Sequence, residues 1–378
     1  MNLIPLEGNL HVSVSRIRSI SAIALTGALA LSACATENPT QGGSTGASTG
    51  GAASAADCFT GDLKAEGSSA QKNAIADAIS SYQDACADAT IDYAATGSGA
   101  GIKQFIAGQV DFAGSDSALK EKEAADAKQA CASDAWNLPM VAGPIAIAFN
   151  VKGVDKLVLN AEVASKIFSG QITTWNDPAI AALNSGVTLP ATPIKVYFRS
   201  DESGTTENFT KYLKAAAPAA WTAEPGKKWT GKGEGKEKSA GVATAVKGQD
   251  GGITYVELSY AQQNQLGMAA IDTGAGAVEL TGESAGKTIA TAKQTGSGND
   301  LALKIDYATK EPGAYPIVLV TYEIVCSKYA DAEKGKKVKA FLKHFASTDV
   351  QSALESKGYA PLPAETQTKV VAAVDAIS

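Results

Sequence analysis

Residues 198–213 read FRSDESGTTENFTKYL, and they continue a short apolar run that begins at Ile194. The run Ile194–Phe198 is rich in β-branched and aromatic residues, which predicts a strand. The small residues Ser203 and Gly204 then precede an amphipathic stretch, which predicts that a helix begins there. A strand, a tight turn and a helix in this order form the repeating unit of α/β proteins.

Three other segments place small residues between a predicted strand and a predicted helix or turn: EGSS at 66–69, TGSGAG at 96–101 and FAGSDS at 112–117. A helix N-terminus carries unpaired N–H groups and a partial positive charge, so it attracts anions. One such turn is usually an ordinary helix cap. Four of them in one chain indicate an anion site that is built from several loops.

Arg199 is the residue that sharpens this prediction. The chain contains 30 lysines but only three arginines, and the other two, Arg16 and Arg18, lie near the N-terminus. A guanidinium group can bind an oxyanion through two parallel hydrogen bonds, which a lysine cannot do. The alternative is that Arg199 forms a structural ion pair with Asp201 or Asp116.

The rest of the chain also predicts an α/β fold. Further strands are expected at Ile145–Phe149, Ile253–Val256 and Ile317–Val325, and helices at Ser69–Ala85, Asn160–Phe168, after Asp177-Pro178, and at Val338–Phe345. The Gly-rich polar segments 225–241 and 273–300 are predicted to be long loops. A length of 378 residues suggests two domains.

Composition excludes several classes of protein. The net charge of −6 argues against a general nucleic-acid binder, and 45% hydrophobic residues argue against intrinsic disorder. His11 and His344 are the only histidines, so a multi-histidine metal site is excluded. We expect neither a metal nor a cofactor.

The first 56 residues predict export. Within residues 1–33, a basic segment is followed by an apolar segment, and together they have the length and charge pattern of a signal peptide. Leu31-Ser32-Ala33-Cys34 has the form of a bacterial lipobox. Cys34 would then carry the lipid anchor, and 34–56 would be a flexible tether without large apolar residues. The alternative is a chance cysteine after an ordinary signal peptide.

Four cysteines remain after Cys34, and an even number in an exported chain favours two disulfides. Three connectivities are open on spacing alone. The order of the predicted elements favours Cys86–Cys131 together with Cys58–Cys326.

Between about Cys58 and about Pro363, the sequence resembles the phosphate-binding lipoproteins of high-affinity phosphate ABC importers. The motifs that carry the resemblance are GSSAQ, TGSGAGIKQF, VDFAGSDSAL, IFSGQITTWNDPAIAALN, FRSDESGTTENFTKYL and GQDGGITYVELSYA. The resemblance implies a two-lobed periplasmic-binding-protein fold (type II-like), with a hinge near Val141–Ile145 and Pro316–Val318. Lobe one would comprise 57–142 plus 318–378, and lobe two 143–317.

The resemblance also implies the site. The phosphate-binding residues would be Ser69, the amide of Ala70, Ser98, Asp116, Arg199, Ser203, Gly204 and Thr205, with Asp201 orienting the arginine. Two positions depart from the usual motif: Ser69-Ala70 replaces Thr-Phe, and Gly99 stands where a second serine is common.

The expected function is therefore the binding of inorganic phosphate outside the cytoplasm and its delivery to an ABC permease. That permease would consist of transmembrane subunits with a cytoplasmic ATPase, and the binding protein would be a monomer anchored to the cell membrane. The alternatives are a receptor for another oxyanion such as sulfate, or a secreted serine hydrolase or phosphatase. The hydrolase alternative rests on two S-x-x-K matches, Ser69/Lys72 and Ser117/Lys120.

Overall fold

The computed structural model describes residues 57–360 and 362–378. The predicted signal peptide, Cys34 and the tether lie outside these residues. None of the helices in the described part of the chain is long and apolar enough to cross a membrane.

The described residues form an α/β protein in which strands and helices alternate. The strands are β1 Gly61–Gly67, β2 Ala89–Ala94, β3 Phe112–Ser115, β4 Ala135–Asn150, β5 Val158–Asn160, β6 Lys195–Arg199, β7 Glu234–Lys236, β8 Gly252–Glu257, β9 Gly267–Met268, β10 Ala270–Asp272, β11 Ala277–Val278, β12 Lys293–Gln294, β13 Leu303–Lys304 and β14 Val318–Cys326. The helices are α1 Lys72–Ala85, α2 Ser98–Ile106, α3 Glu121–Cys131, α4 Ala161–Phe168, α5 Pro178–Ala181, α6 Gly204–Ala216, α7 Lys238–Lys247, α8 Leu258–Gln263, α9 Gly282–Ala290, α10 Ala332–Phe345, α11 Thr348–Glu355 and α12 Ala364–Asp375.

One long strand connects two halves of the main sheet. The strand order is β2-β1-β3-β14-β4-β8-β6-β7, with β9 also pairing with β4. The first half of β4, up to Pro144, pairs with β14, and its second half, from Ile145, pairs with β8. The chain therefore crosses from one half of the sheet to the other at Pro144–Ile145 and returns at the start of β14.

Each half of the sheet has its own hydrophobic core. The first core surrounds β1, β3 and the C-terminal helices, with Leu63, Phe112 and Phe341 fully buried. The second surrounds β6, β8 and α6, with Phe209 and Tyr255 fully buried. The elements around these two cores form the first and the second lobe of the protein.

The parallel strands place the predicted anion-binding turns at one edge of each lobe. Strands β1, β2 and β3 are parallel, and so are β6, β7 and β8. The carboxyl ends of parallel strands meet at the same edge of a sheet, where ligands of open α/β sheets bind. Residues 68–71, 96–98, 116–117 and 200–204 all follow such ends.

The predicted strands are confirmed. The helices predicted at Asn160 and after Asp177 are also present, and the side chains of Asn160 and Asp177 accept hydrogen bonds from the first turns of α4 and α5. Helix α1 begins at Lys72 rather than at Ser69, because Ser69 and Ala70 lie in the turn after β1.

The prediction of two long loops was wrong. Segment 225–241 contains β7 and the start of α7, and segment 273–300 contains α9. Helix α9 has two glycines, but the Thr281 hydroxyl accepts a hydrogen bond from Ser284 N, and Ala285 and Ile289 are buried in the first core. Capping and burial thus outweigh the low helix propensity of glycine here.

Two disulfides are present, but the predicted pairing was wrong. Cys58 is bonded to Cys86, and Cys131 is bonded to Cys326, with Cα–Cα distances of 5.4 and 5.5 Å. Cys58 precedes β1 and Cys86 follows α1, and the helix returns the chain to the edge where the strand began. Cys131 and Cys326 end α3 and β14, and both elements run toward that same edge.

Candidate functional site

Arg199 is the last residue of β6, and its side chain is only 2% exposed. Its Nε and Nη2 donate to the two carboxylate oxygens of Asp201 at 2.8 and 2.5 Å, which fixes the plane of the guanidinium group. Its Nη1 donates to Ser239 Oγ at 3.2 Å. Burial by itself would raise the pKa of Asp201, but the hydrogen bonds and charge of Arg199 outweigh it and lower that pKa.

Asp116 follows β3 in the first lobe and is 2% exposed. Its Oδ1 accepts hydrogen bonds from the hydroxyls of Ser68 and Thr321, the latter at 2.9 Å, and its Oδ2 accepts one from Thr205 at 3.2 Å. Burial raises the pKa of Asp116, although these hydroxyls and the charge of Arg199 act in the opposite direction. A carboxylate oxygen has about two lone-pair positions. Three hydroxyl donors therefore leave Asp116 about one position, on Oδ2, for a further donor.

Ser98 and Gly204 form one of the contacts between the two lobes. Ser98 Oγ accepts hydrogen bonds from the backbone N–H groups of Asp116 and Gly204, each at 3.2 Å. A Cβ atom on Gly204 would lie 2.6 Å from both Asp116 Cβ and Ser98 Oγ, so only glycine fits this position. Ser203 caps the same helix, since its Oγ accepts a hydrogen bond from Thr206 N at 3.1 Å.

A second contact between the lobes joins Ser69 to the start of α7. Ser69 Oγ lies 3.0 Å from Ser239 Oγ and accepts a hydrogen bond from Ser239 N at 3.2 Å. The amide of Ala70 donates to Ser68 Oγ at 3.1 Å. The structure thus gathers all the predicted site residues in one place: Ser69, Ala70, Ser98, Asp116, Arg199, Asp201, Ser203, Gly204 and Thr205.

Three residues of this cluster were missed by the sequence prediction. Ser239 is the second residue of α7, which follows the short strand β7. It therefore belongs to a further turn with the same strand–turn–helix pattern, inside the segment predicted as a loop. Ser68 stands beside the predicted Ser69, and its hydroxyl donates to Asp116. Thr321 lies on β14, where no motif marks it.

The structure also explains why position 99 is a glycine and not the serine of the usual motif. Its N–H donates to the Glu202 carbonyl oxygen at 3.0 Å. A Cβ atom at this position would lie 2.5 Å from Glu202 Cβ. A serine at this position would therefore collide with the turn that carries Asp201.

Two more carboxyl groups, Glu257 and Glu323, are fully buried. Glu257 accepts hydrogen bonds from the Ser259 amide and hydroxyl, and Glu323 interacts with the side chain of Gln71. Burial raises the pKa of each to about 8, and the negative charge of Asp116 adds to the effect. Both groups are therefore protonated at neutral pH.

We expect the free energy of unfolding to fall as the pH rises from about 4.5, the ordinary pKa of glutamate, to about 8. Within this window the folded protein holds protons that the unfolded chain has released, so raising the pH favours unfolding. Burial lowers the pKa of His344, so this residue makes the free energy of unfolding rise with pH. His344 is present in both proteins of the comparison that follows, so it affects both alike.

Urea unfolding midpoints across this pH window test the expectation in wild type and in Glu323→Gln. The variant should lose less stability with rising pH, because its amide cannot ionise. Parallel curves for the two proteins would contradict the assignment of a buried proton to Glu323.

A model of the PBP superfamily domain matches residues 36–349. The chain is 48% identical to phosphate-binding protein PstS 3 of Mycobacterium tuberculosis (strain ATCC 25618 / H37Rv), over 97% of this chain and 100% of the relative. It is 46% identical to phosphate-binding protein PstS 2 of the same strain, over 96% of this chain and 99% of the relative.

Solved structures share the fold at lower identity. The periplasmic phosphate-binding protein PfluDING superposes with a TM-score of 0.65 at 23% identity, covering 82% of this chain and 93% of that chain. A phosphate-binding protein from Stenotrophomonas maltophilia gives a TM-score of 0.65 at 21% identity, with the same coverage. These structures share the fold, and the family model and the mycobacterial relatives show that the chain belongs to the PstS family of phosphate-binding proteins within the periplasmic-binding-protein superfamily.

Proposed function

We propose that this protein binds inorganic phosphate in the cleft between its lobes and delivers it to an ABC permease. The observation that carries the proposal is the combination of Arg199, fixed by Asp201, with the buried carboxylate Asp116 in one cluster. The guanidinium attracts an oxyanion, and the carboxylate accepts a hydrogen bond from a protonated oxygen of that ligand. Membership of the PstS family supports the same function.

The donor count of the site fits a tetrahedral oxyanion. Asp201 and Ser239 occupy three of the five N–H donors of Arg199, which leaves two for a ligand. The hydroxyl of Ser69, 3.0 Å from Ser239 Oγ, and the backbone N–H of Thr205, in the first turn of α6, supply further donors. A helix N-terminus adds a favourable field for an anion.

We also propose that the lobes close over the ligand by bending at a hinge near Val141–Ile145 and Pro316–Val318. Strand β4 changes its partner from β14 to β8 at this point, and Ile145 N donates to the Ile317 carbonyl oxygen at 2.8 Å. Three ion pairs join the lobes, Lys103–Glu202 at 2.6 Å, Lys227–Glu123 at 3.0 Å and Lys120–Glu207 at 3.8 Å. The proposed boundaries are 57–142 plus 318–378 for one lobe and 143–317 for the other.

A serine hydrolase is not favoured by the same contacts. Ser69 Oγ contacts Ser239 rather than Lys72, and the Lys120 ammonium lies 3.8 Å from Glu207. Ser81 does lie 2.8 Å from His344 Nε2, but its hydroxyl donates to the Ala78 carbonyl oxygen. A hydroxyl that donates its proton elsewhere is not activated by the histidine.

Calorimetry of the folded part of the protein, residues 57–378, with phosphate, sulfate and a chromogenic phosphoester tests the proposal. We expect tight binding of phosphate, much weaker binding of sulfate and no turnover of the ester. Sulfate binding as tight as phosphate binding would favour a general oxyanion receptor. Release of the chromophore would identify an enzyme.

The lipid anchor is part of the same proposal. We propose that Cys34 is acylated after cleavage of residues 1–33, so that the protein lies outside the cytoplasm as a monomer tethered beside the transmembrane subunits of its permease and their cytoplasmic ATPase. Stable anchoring requires more than one acyl chain, which lipoprotein processing supplies.

Cys34→Ala should leave an unprocessed precursor that takes up no label from a fatty-acid analogue in cells. The matched control is Ser32→Ala, which changes a neighbouring residue but keeps the thiol. Equal labelling of the Cys34→Ala protein and the wild type would overturn the assignment of the anchor to this cysteine.

A further inference from the structure

A large cavity lies beside the proposed phosphate site. Its volume is about 1010 Å³, and both lobes line it. Asp116 and Asn208 belong to its wall, and Asn208 Nδ2 donates to the Asp116 carbonyl oxygen at 2.6 Å. The cavity therefore reaches the residues that hold the lobes together around the site.

The wall of this cavity is basic, although the chain carries a net charge of −6. Besides Asp116 it contains two carboxylates, Glu207 and Asp306, and five lysines, namely Lys120, Lys211, Lys214, Lys293 and Lys304. Glu207 lies 3.1 Å from Lys211 and 3.8 Å from Lys120, and Glu224, which is not part of the wall, lies 3.0 Å from Lys214. Five lysines therefore stand against four carboxylates, and three of the lysines are ion-paired. The cavity wall thus has an excess of positive charge.

Lys293 and Lys304 are the least expected members of this wall. They face each other directly across the antiparallel pair β12–β13, and both are exposed. Like charges directly opposite each other destabilise a strand pair. Neither lysine has a carboxylate within salt-bridge distance in the part of the chain that the structure describes. The sheet pairing therefore concentrates positive charge at the cavity without a structural counter-charge.

We propose that this lysine-lined cavity is the path by which phosphate approaches the site, and that Lys293 and Lys304 accelerate its capture. The inference rests on the proposed function. A cleft lined by one sign of charge raises the local concentration of an oppositely charged ligand and its association rate. The effect acts over about 10 Å at 0.1 M salt, so it needs no direct contact with the bound phosphate.

The test compares wild type with the double variant Lys293→Gln/Lys304→Gln. The dissociation constant comes from calorimetry, the dissociation rate from a chase of bound radiolabelled phosphate, and their ratio gives the association rate. At about 0.02 M ionic strength we expect association to slow about three- to tenfold, with dissociation unchanged. At about 0.5 M salt, where screening reduces the range to about 4 Å, the two proteins should bind alike.

Lys152→Gln/Lys156→Gln is the matched control. It removes the same charge from exposed lysines in the loop that leaves β4 at the edge of the second lobe opposite Arg199. The inference would be overturned if the Lys293/Lys304 variant bound phosphate at the wild-type association rate. It would also be overturned if the association rate of the control fell as much as that of the Lys293/Lys304 variant. Faster dissociation in the Lys293/Lys304 variant would also overturn it. A wild-type protein that binds no phosphate would instead refute the proposed function.

Discussion

Arg199→Lys should bind phosphate ten- to a hundredfold more weakly than wild type while the protein stays folded. The guanidinium presents two free N–H donors in a plane that Asp201 fixes at 2.8 and 2.5 Å. An ammonium group cannot keep the bidentate contact with Asp201 and also donate two parallel bonds to the ligand. Losing one charge-assisted hydrogen bond costs about 1.5–3 kcal/mol, which corresponds to this change in affinity.

Lysine is the informative replacement, because it keeps a positive charge beside the half-buried carboxylate of Asp201. Removing the charge altogether would leave that carboxylate unpaired and cost about 3–5 kcal/mol of stability. Calorimetry with phosphate measures the affinity, and thermal unfolding serves as the control for the fold. A folded Arg199→Lys protein with wild-type affinity would mean that the arginine only forms the structural ion pair with Asp201.

The sequence was sufficient to predict the elements on which the site is built, because these signals are local. Arg199 and Asp201 are two residues apart in sequence. The turn between β6 and α6 brings their side chains together without a contribution from distant segments. The same holds for Ser203, whose cap on α6 depends only on the next three residues. Such contacts form between neighbouring residues, so tertiary contacts preserve them but are not needed to create them.

Contacts between distant segments could not be predicted in this way. Thr321 reaches Asp116 across 205 positions, because β14 returns to the first lobe and pairs with β3. Ser239 was missed because Gly- and Lys-rich sequence surrounds it, and its position depends on β7 adding to the edge of the sheet. The disulfide pairing failed for the same reason, since it depends on where helices α1 and α3 end relative to the sheet.

Asp116→Asn should lower the preference for phosphate over sulfate. In wild type, Ser68 and Thr321 occupy Oδ1 of Asp116 and Thr205 occupies one position on Oδ2. The remaining position needs a donor, and phosphate brings one, since its mono- and dihydrogen forms both carry a proton at neutral pH. Sulfate carries none, so its oxygen would face the lone pairs of a buried carboxylate. A site that leaves a buried polar group unpaired can reject a near-isostere by about 10⁴-fold.

The asparagine variant tests this argument with little change in shape. Its Oδ1 can still accept from Ser68 and Thr321, and the hydroxyl of Thr205 can rotate to accept from the new amide. The amide then offers a donor to any oxyanion, so sulfate should gain affinity relative to phosphate. The measurement is the ratio of the two dissociation constants in wild type and in Asp116→Asn.

Asp62→Asn is the matched control, because Asp62 is exposed near the start of β1, at the edge of the first lobe away from the site. It removes the same charge from the protein, so a change in the sulfate-to-phosphate ratio there would reflect net charge alone. We expect the ratio to shift by orders of magnitude in Asp116→Asn and to stay at the wild-type value in Asp62→Asn. An unchanged ratio in Asp116→Asn would mean that selectivity comes from the donors around Arg199 and not from the one acceptor position that the three hydroxyls leave open.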